Sequence, residues 1–124
     1  MGVVVAKVLI AEDEAFTAMT LVDVLADRGH AVKDAADGAL AMAILKDFHP
    51  CVLVTDLMMP NVDGAALIRH VRATQGKPIS IVLITGVPEA KLPHGLEYDA
   101  YLGKPVDHDI LGRLIEGFDT DCSC

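Results

Sequence analysis

Apolar, β-rich runs of three to six residues recur five times, at Lys7 to Ala11, His30 to Ala35, Cys51 to Thr55, Ser80 to Thr85 and Ala100 to Leu102. The segments between them carry helical spacing. Ala18, Leu21, Val22 and Leu25 fall on one face of the first segment, and Leu40, Ala43 and Ile44 on one face of the second. Leu67, Ile68 and Val71 repeat the pattern behind Asp63, a side chain suited to an N-cap, and Leu111, Leu114, Ile115 and Phe118 supply it in the last segment, with Pro105 near its start. Near-continuous apolar strands alternating with helices imply a five-stranded parallel sheet, doubly wound and covered on both faces. One segment resists the pattern: between Gly86 and Tyr98, Pro88 and Pro93 leave room for one or two helical turns, so the fourth helix is expected to be short or irregular.

A chain of 124 residues, 52% hydrophobic, has material for one core, and no linker or repeat divides it. The domain is expected over residues 1–118, with 119–124 as a flexible tail. Ten Lys and Arg against eighteen Asp and Glu give a net charge of −8, which opposes unaided binding to nucleic acid or anionic membrane and favours protein partners or cations. Cys51, Cys122 and Cys124 suggest no disulfide framework; Cys51 reads as a small buried hydrophobe and the compartment as reducing. The apolar opening is broken by Lys7 and Glu12, too short to span a bilayer, and no cleavage site follows a basic leader, so a soluble cytoplasmic protein is expected. His30, His49, His70, His94 and His108 show no ligand spacing and are expected in surface or cap roles.

The chemistry lies at the strand ends. In open α/β sheets, ligands sit outside the carboxyl ends of the strands, near the switch in strand order. Here the first strand ends at Glu12 and Asp13, the third at Asp56, the fourth at Thr85, and the fifth leads through Tyr101 to Lys104 and Pro105. Three carboxylates so placed repel one another unless a cation intervenes. Mg²⁺ suits them, with Mn²⁺ as an alternative, since a hard cation takes carboxylate oxygens and keeps waters for a phosphate. Met58 and Met59 offer only soft thioethers and read as loop and gap-filling residues. A carboxylate beside such a cation can act as a nucleophile toward phosphorus, with Lys104 supplying a second positive charge.

With these residues in this order, the chain resembles the receiver domain of two-component response regulators, of the stand-alone CheY-like kind, from about Lys7 to Phe118. The match rests on Glu12-Asp13, on Asp56 within DLMMPNVDG, on Thr85-Gly86, and on Tyr101 three residues before Lys104-Pro105. The resemblance implies a flavodoxin-like sheet of order 2-1-3-4-5. It implies that Asp56 is the phosphoacceptor, fed by a phosphohistidine on a sensor histidine kinase or phosphotransfer protein. It further implies that Glu12, Asp13, Asp56 and the backbone carbonyl of Met58 hold Mg²⁺, that Lys104 pairs with the phosphate ahead of a cis bond to Pro105, and that Thr85 and Tyr101 are switch residues. Self-phosphorylation and self-dephosphorylation would be the only catalysis, and the downstream target a protein.

Two departures stand out. Glu12 occupies a place where Asp is commoner, and its longer arm favours holding the metal through water. Lys104 follows Thr85 by 19 positions, a few fewer than receivers usually have, and the loss falls in the fourth helix, part of the family's usual output face. Among other functions, a haloacid-dehalogenase-type phosphatase would want an Asp where Met58 stands. Two tyrosines, three phenylalanines, no tryptophan and no phosphate-cradling first loop argue against a flavin binder. A degenerate receiver that binds partners without phosphorylation, or a receiver fragment of a larger regulator or hybrid kinase, are the remaining alternatives.

Overall fold

The computed structural model describes residues 5–75 and 78–118. Five parallel strands, β1 (Lys7–Ala11), β2 (Ala31–Ala35), β3 (Val52–Asp56), β4 (Ser80–Thr85) and β5 (Ala100–Gly103), form one sheet of order β2-β1-β3-β4-β5. Four α-helices connect and follow them: α1 (Ala15–Asp27), α2 (Gly38–Phe48), α3 (Gly64–Thr74) and α4 (His108–Gly117). The anticipated doubly wound topology is therefore present.

Side-chain alternation along the strands divides the core into two layers. Leu9, Leu53, Ile81 and Leu83 face α2 and α3, meeting Ala41, Leu45, Leu67, Ile68 and Val71. Val8, Ile10, Val52, Val54, Val82 and Ile84 face α1 and α4, meeting Leu21, Leu25, Leu111 and Ile115. Both faces of β1, β3 and β4 are thus buried, which is why these runs are continuously apolar. At the edge, β2 carries exposed Lys33 and Asp34, charges that discourage further strand pairing.

The helices start where carboxylates cap them. Glu14 accepts from the Thr17 and Phe16 amides, Asp37 from Leu40, Asp63 from Ala66 and Asp107 from Ile110. Each cap satisfies an amide without an intrahelical partner and sets negative charge at the positive end of the helix dipole. The Thr17 hydroxyl and amide hold the Glu14 carboxyl below its ordinary range, and the Leu40 amide and the Asn61 side chain do the same for Asp37. Part of the chain's acidity is therefore local architecture.

Several readings are corrected. The buried face of α2 is Gly38, Ala41 and Leu45, whereas Leu40 is 52% exposed; in this Ala-rich segment the buried stripe runs one position later than the spacing predicts. His30 is buried and its Nδ1 accepts the Ala6 amide at 3.0 Å, so it belongs to the interior, while His49 caps α2 in the left-handed conformation. Helix α4 begins three residues after Pro105, behind Asp107. Cys51 is buried, as expected. The tail expected at 119–124 lies outside the described residues. No helix among the described residues is long and apolar enough to cross a membrane.

Away from the carboxyl ends of the strands, Arg28 after α1 reaches Glu116 on α4, with Nε 2.9 Å from Oε2, and His30 Nε2 lies 3.2 Å from the same oxygen. Because Nδ1 accepts from Ala6, the tautomer assigned to neutral His30 donates from Nε2 to Glu116. The Arg28 hydrogen bond draws the Glu116 carboxyl below its ordinary value. A depressed carboxyl contributes stability that is present above the ordinary Glu range and lost as pH falls through its folded pKa. Glu116→Gln is therefore expected to cost about 1 kcal/mol or less at neutral pH, since the pair is partly exposed. The gap from the parent protein should close in acid; denaturant titrations across pH would check it.

Candidate phosphoacceptor site

At the carboxyl end of the sheet, β1 and β3 are neighbours although β2 lies between them in sequence. This is the topological switch point, where helices leave in opposite directions and open a crevice. The register carries Ala11 beside Thr55, so Glu12 and Asp13 emerge next to Asp56. Asp56 is 6% exposed and Glu12 1% exposed, while Asp13 faces solvent.

The buried charges are met individually. Asp56 Oδ1 accepts from the Leu57 amide at 2.7 Å and the Met58 amide at 3.4 Å, and Oδ2 accepts from Lys104 Nζ at 2.8 Å. Lys104 Nζ also donates to Glu12 Oε1 at 2.7 Å, and Glu12 Oε2 accepts from the Glu14 amide at 3.0 Å. Burial pushes the Glu12 carboxyl up despite Lys104. Burial alone would lower the Lys104 ammonium, but its hydrogen bonds to Asp56 and Glu12 hold it above its usual value. One carboxylate oxygen from each of Glu12, Asp13 and Asp56 lies within 4.8 Å of the others. Three acids and one lysine leave an excess of negative charge, and an all-oxygen donor set with one open side fits a hard divalent cation.

The remaining expected residues sit on the same rim. Thr85 ends β4, beside β3, and is 1% exposed; its Oγ1 accepts the Val87 amide at 3.1 Å. The half-buried Tyr101 donates from its hydroxyl to the Val87 carbonyl at 2.6 Å. Lys104 is joined to Pro105 by a cis peptide bond, and its amide donates to the Thr85 carbonyl at 3.0 Å. Met58 is 65% exposed in the loop after β3.

Between β4 and β5 the chain forms a single 3-10 turn, Glu89–Lys91, in place of a fourth covering helix. Val87, Leu92, Leu96 and Tyr98 pack from this strap against the layer of α2 and α3. Its far end is fastened by Arg72, which donates to the Glu97 carbonyl at 2.8 Å and to Asp99 Oδ2 at 2.9 Å. The sequence reading did not single out Arg72, nor Asp37 and Asn61, whose side chains join α2 to the loop after Asp56 at 2.9 Å. An Asp-Gly pair opening an apolar helical segment marks Asp37 as a cap, but no local pattern shows its partner.

The family model for the response regulator receiver domain matches residues 8–116. The chain belongs to this family. Receiver domains are signalling modules of two-component systems rather than classical enzymes. Among curated relatives, the chain is 36% identical over 110 residues to the transcriptional regulatory protein AfsQ1 of Streptomyces coelicolor, covering 86% of this chain and 48% of that protein. It is 34% identical over 100 residues to the sensor kinase CckA of Brucella abortus, covering 79% of this chain and 10% of that one. The chain thus spans less than half the length of these relatives. Among solved structures, the chemotaxis response regulator CheY4 of Vibrio cholerae superposes with a TM-score of 0.82 at 28% identity, over 91% of this chain and 98% of that one. A response regulator receiver protein from Pseudomonas putida gives 0.84 at 27% identity, over 93% and 98%.

Proposed function

We propose that this receiver is a phosphorylation switch in which Asp56 accepts a phosphoryl group from a phosphohistidine on a sensor histidine kinase or histidine phosphotransfer protein in the cytoplasm. The observation that carries the reading is the setting of Asp56: one oxygen held by backbone amides, the other by Lys104, with two further carboxylates within 4.8 Å. A carboxylate oxygen of Asp56 attacks phosphorus, the P–N bond to the donor imidazole breaks, and the ring leaves with the electron pair. Water later attacks the acyl phosphate and returns the carboxylate and inorganic phosphate. Glu12, Asp13, Asp56 and the Met58 carbonyl would hold Mg²⁺, which supplies charge neutralisation for the phosphoryl oxygens when bound. Lys104 gives the same oxygens a fixed cation, and transfer of this kind depends on such positioning.

The test is incubation with acetyl phosphate and Mg²⁺ followed by intact-mass measurement. A base-labile adduct of one phosphoryl group is expected; its absence over a range of donor and metal concentrations would favour a degenerate receiver.

Thr85 and Tyr101 are proposed to carry the signal outward. Both hold Val87, one through its amide and the other through its carbonyl. A Thr85 hydroxyl drawn to the new phosphate would release the Val87 amide, so the strap from Gly86 to Leu96 is where the change would surface. Tyr101→Phe should therefore loosen the strap in the unphosphorylated protein, by about 1 kcal/mol for one lost hydrogen bond. Hydrogen exchange would show faster amides between residues 86 and 96, with α3 unaffected. Thr85→Ala should leave beryllofluoride binding in place but remove the strap's response to it.

A further inference from the structure

The loop after Asp56 is bound to an element that takes no part in the proposed chemistry. Asp37, the residue before α2, uses one carboxylate oxygen to cap that helix through the Leu40 amide at 2.9 Å. Its other oxygen accepts from Asn61 Nδ2 at 2.9 Å. Alongside, the Gly38 amide donates to the Val62 carbonyl at 3.0 Å, and a Cβ at Gly38 would overlap Val62, so this approach is close enough to require glycine. Asn61 itself is left-handed, at φ 65°, a conformation that asparagine tolerates and most side chains resist. A two-point bracket from α2 therefore grips residues 61 and 62. The loop they belong to begins with Leu57 and Met58, whose amides hold Asp56 Oδ1.

We infer that Asp37 and Asn61 form a positioning clamp that sets the Leu57–Met58 backbone against Asp56 and thereby tunes divalent-cation binding from outside the ligand set. The inference rests on the proposed function in taking Met58 as a carbonyl ligand. Groups one step removed from a metal typically change its affinity about 10- to 100-fold when removed, because they orient the ligands that touch it.

Two substitutions separate the clamp from its other duties. Asp37→Ser keeps a capping oxygen for α2 but does not reach Asn61. Asn61→Gly keeps the left-handed backbone accessible and deletes the donor. In the metal-free protein, the ¹⁵N–¹H resonances of Leu57 and Met58 should move in both variants. In Mg²⁺ titrations followed by calorimetry, each should bind about tenfold more weakly. The double variant should bind no more weakly than either single one, because one contact is lost in all three. Asp37→Asn should restore near-normal affinity, since the Asn61 amide can turn its carbonyl toward the new NH₂. At saturating Mg²⁺, phosphorylation by acetyl phosphate should stay within about twofold of the parent protein, placing the defect in metal affinity. Mg²⁺ affinities within twofold of the parent protein in both single variants, or multiplicative losses in the double one, would overturn the clamp. If the parent protein itself bound no Mg²⁺, the proposed function would fail instead, and the Leu57 and Met58 resonances of the metal-free variants would still decide for or against the clamp.

Discussion

Asp56→Asn is expected to eliminate the phosphoryl adduct formed with acetyl phosphate and Mg²⁺, while leaving the fold intact. An amide oxygen is a far weaker nucleophile than a carboxylate, and no other described carboxylate has the same setting. Glu12 is engaged by Lys104 and the Glu14 amide, and Asp13 lies in solvent. The same change alters the electrostatic balance. Glu12, Asp13 and Asp56 bring three carboxylates within 4.8 Å of one another, with Lys104 the cation paired to them among the described residues. Removing one relieves repulsion but also removes a partner from the lysine, so the metal-free variant should melt close to the parent protein. With Mg²⁺ the two should diverge. A ligand at ten times its dissociation constant stabilises by about 1.4 kcal/mol. For a domain of this size that is roughly a 5 °C rise in melting temperature. The parent protein should show this rise and Asp56→Asn little of it. An adduct that persisted in the variant would move the phosphoacceptor to another residue; an unchanged Mg²⁺ response would remove Asp56 from the metal site.

Much of this arrangement is legible in the sequence because burial on both faces leaves a strong mark. β1, β3 and β4 contribute side chains to both core layers, so they read as unbroken apolar runs, and a carboxylate at the end of such a run signals a site. The order of those ends put Glu12, Asp13, Asp56, Thr85 and Lys104 on one rim, where the fold has them. α2 is less readable: alanine populates both its faces, and the buried pair Ala41 and Leu45 lies one position after the Leu40 and Ile44 pair that spacing suggests. The contacts that escaped altogether pair single polar residues far apart in the chain. Arg72 with Asp99 and Asp37 with Asn61 depend on tertiary register, and neither partner carries a periodic signature. The strap between β4 and β5 lies between these cases. Its prolines exclude a long helix, but they do not reveal that Thr85 and Tyr101 share Val87.

Gly64→Ala is expected to be the most disruptive small substitution around the site. Gly64 opens α3, is buried, and donates its amide to the Leu57 carbonyl at 2.8 Å. A Cβ there would overlap the carbonyl oxygen of Asp56 and approach Leu57 Cα at 2.8 Å and the Asp56 carbonyl carbon at 2.9 Å. All three are backbone atoms, so no flexible side chain can turn aside. Relief must come from moving the start of α3 or the end of β3, and the latter carries Asp56, the proposed phosphoacceptor. Alanine's better helix propensity offers at most about 1 kcal/mol in return, less at a first helical position. Overpacking of a rigid site costs about 1 to 3 kcal/mol, and the upper end applies where only main chain can yield. The net expectation is a loss of roughly 2 kcal/mol in denaturant unfolding, by the same overpacking range, accompanied by weaker Mg²⁺ binding and slower phosphorylation. Gly86→Ala provides the control, since a Cβ there meets no atom within 4 Å and its stability should stay within about 0.5 kcal/mol of the parent. If both substitutions were equally mild, the contact between the first turn of α3 and the end of β3 could not be what fixes Asp56 in place.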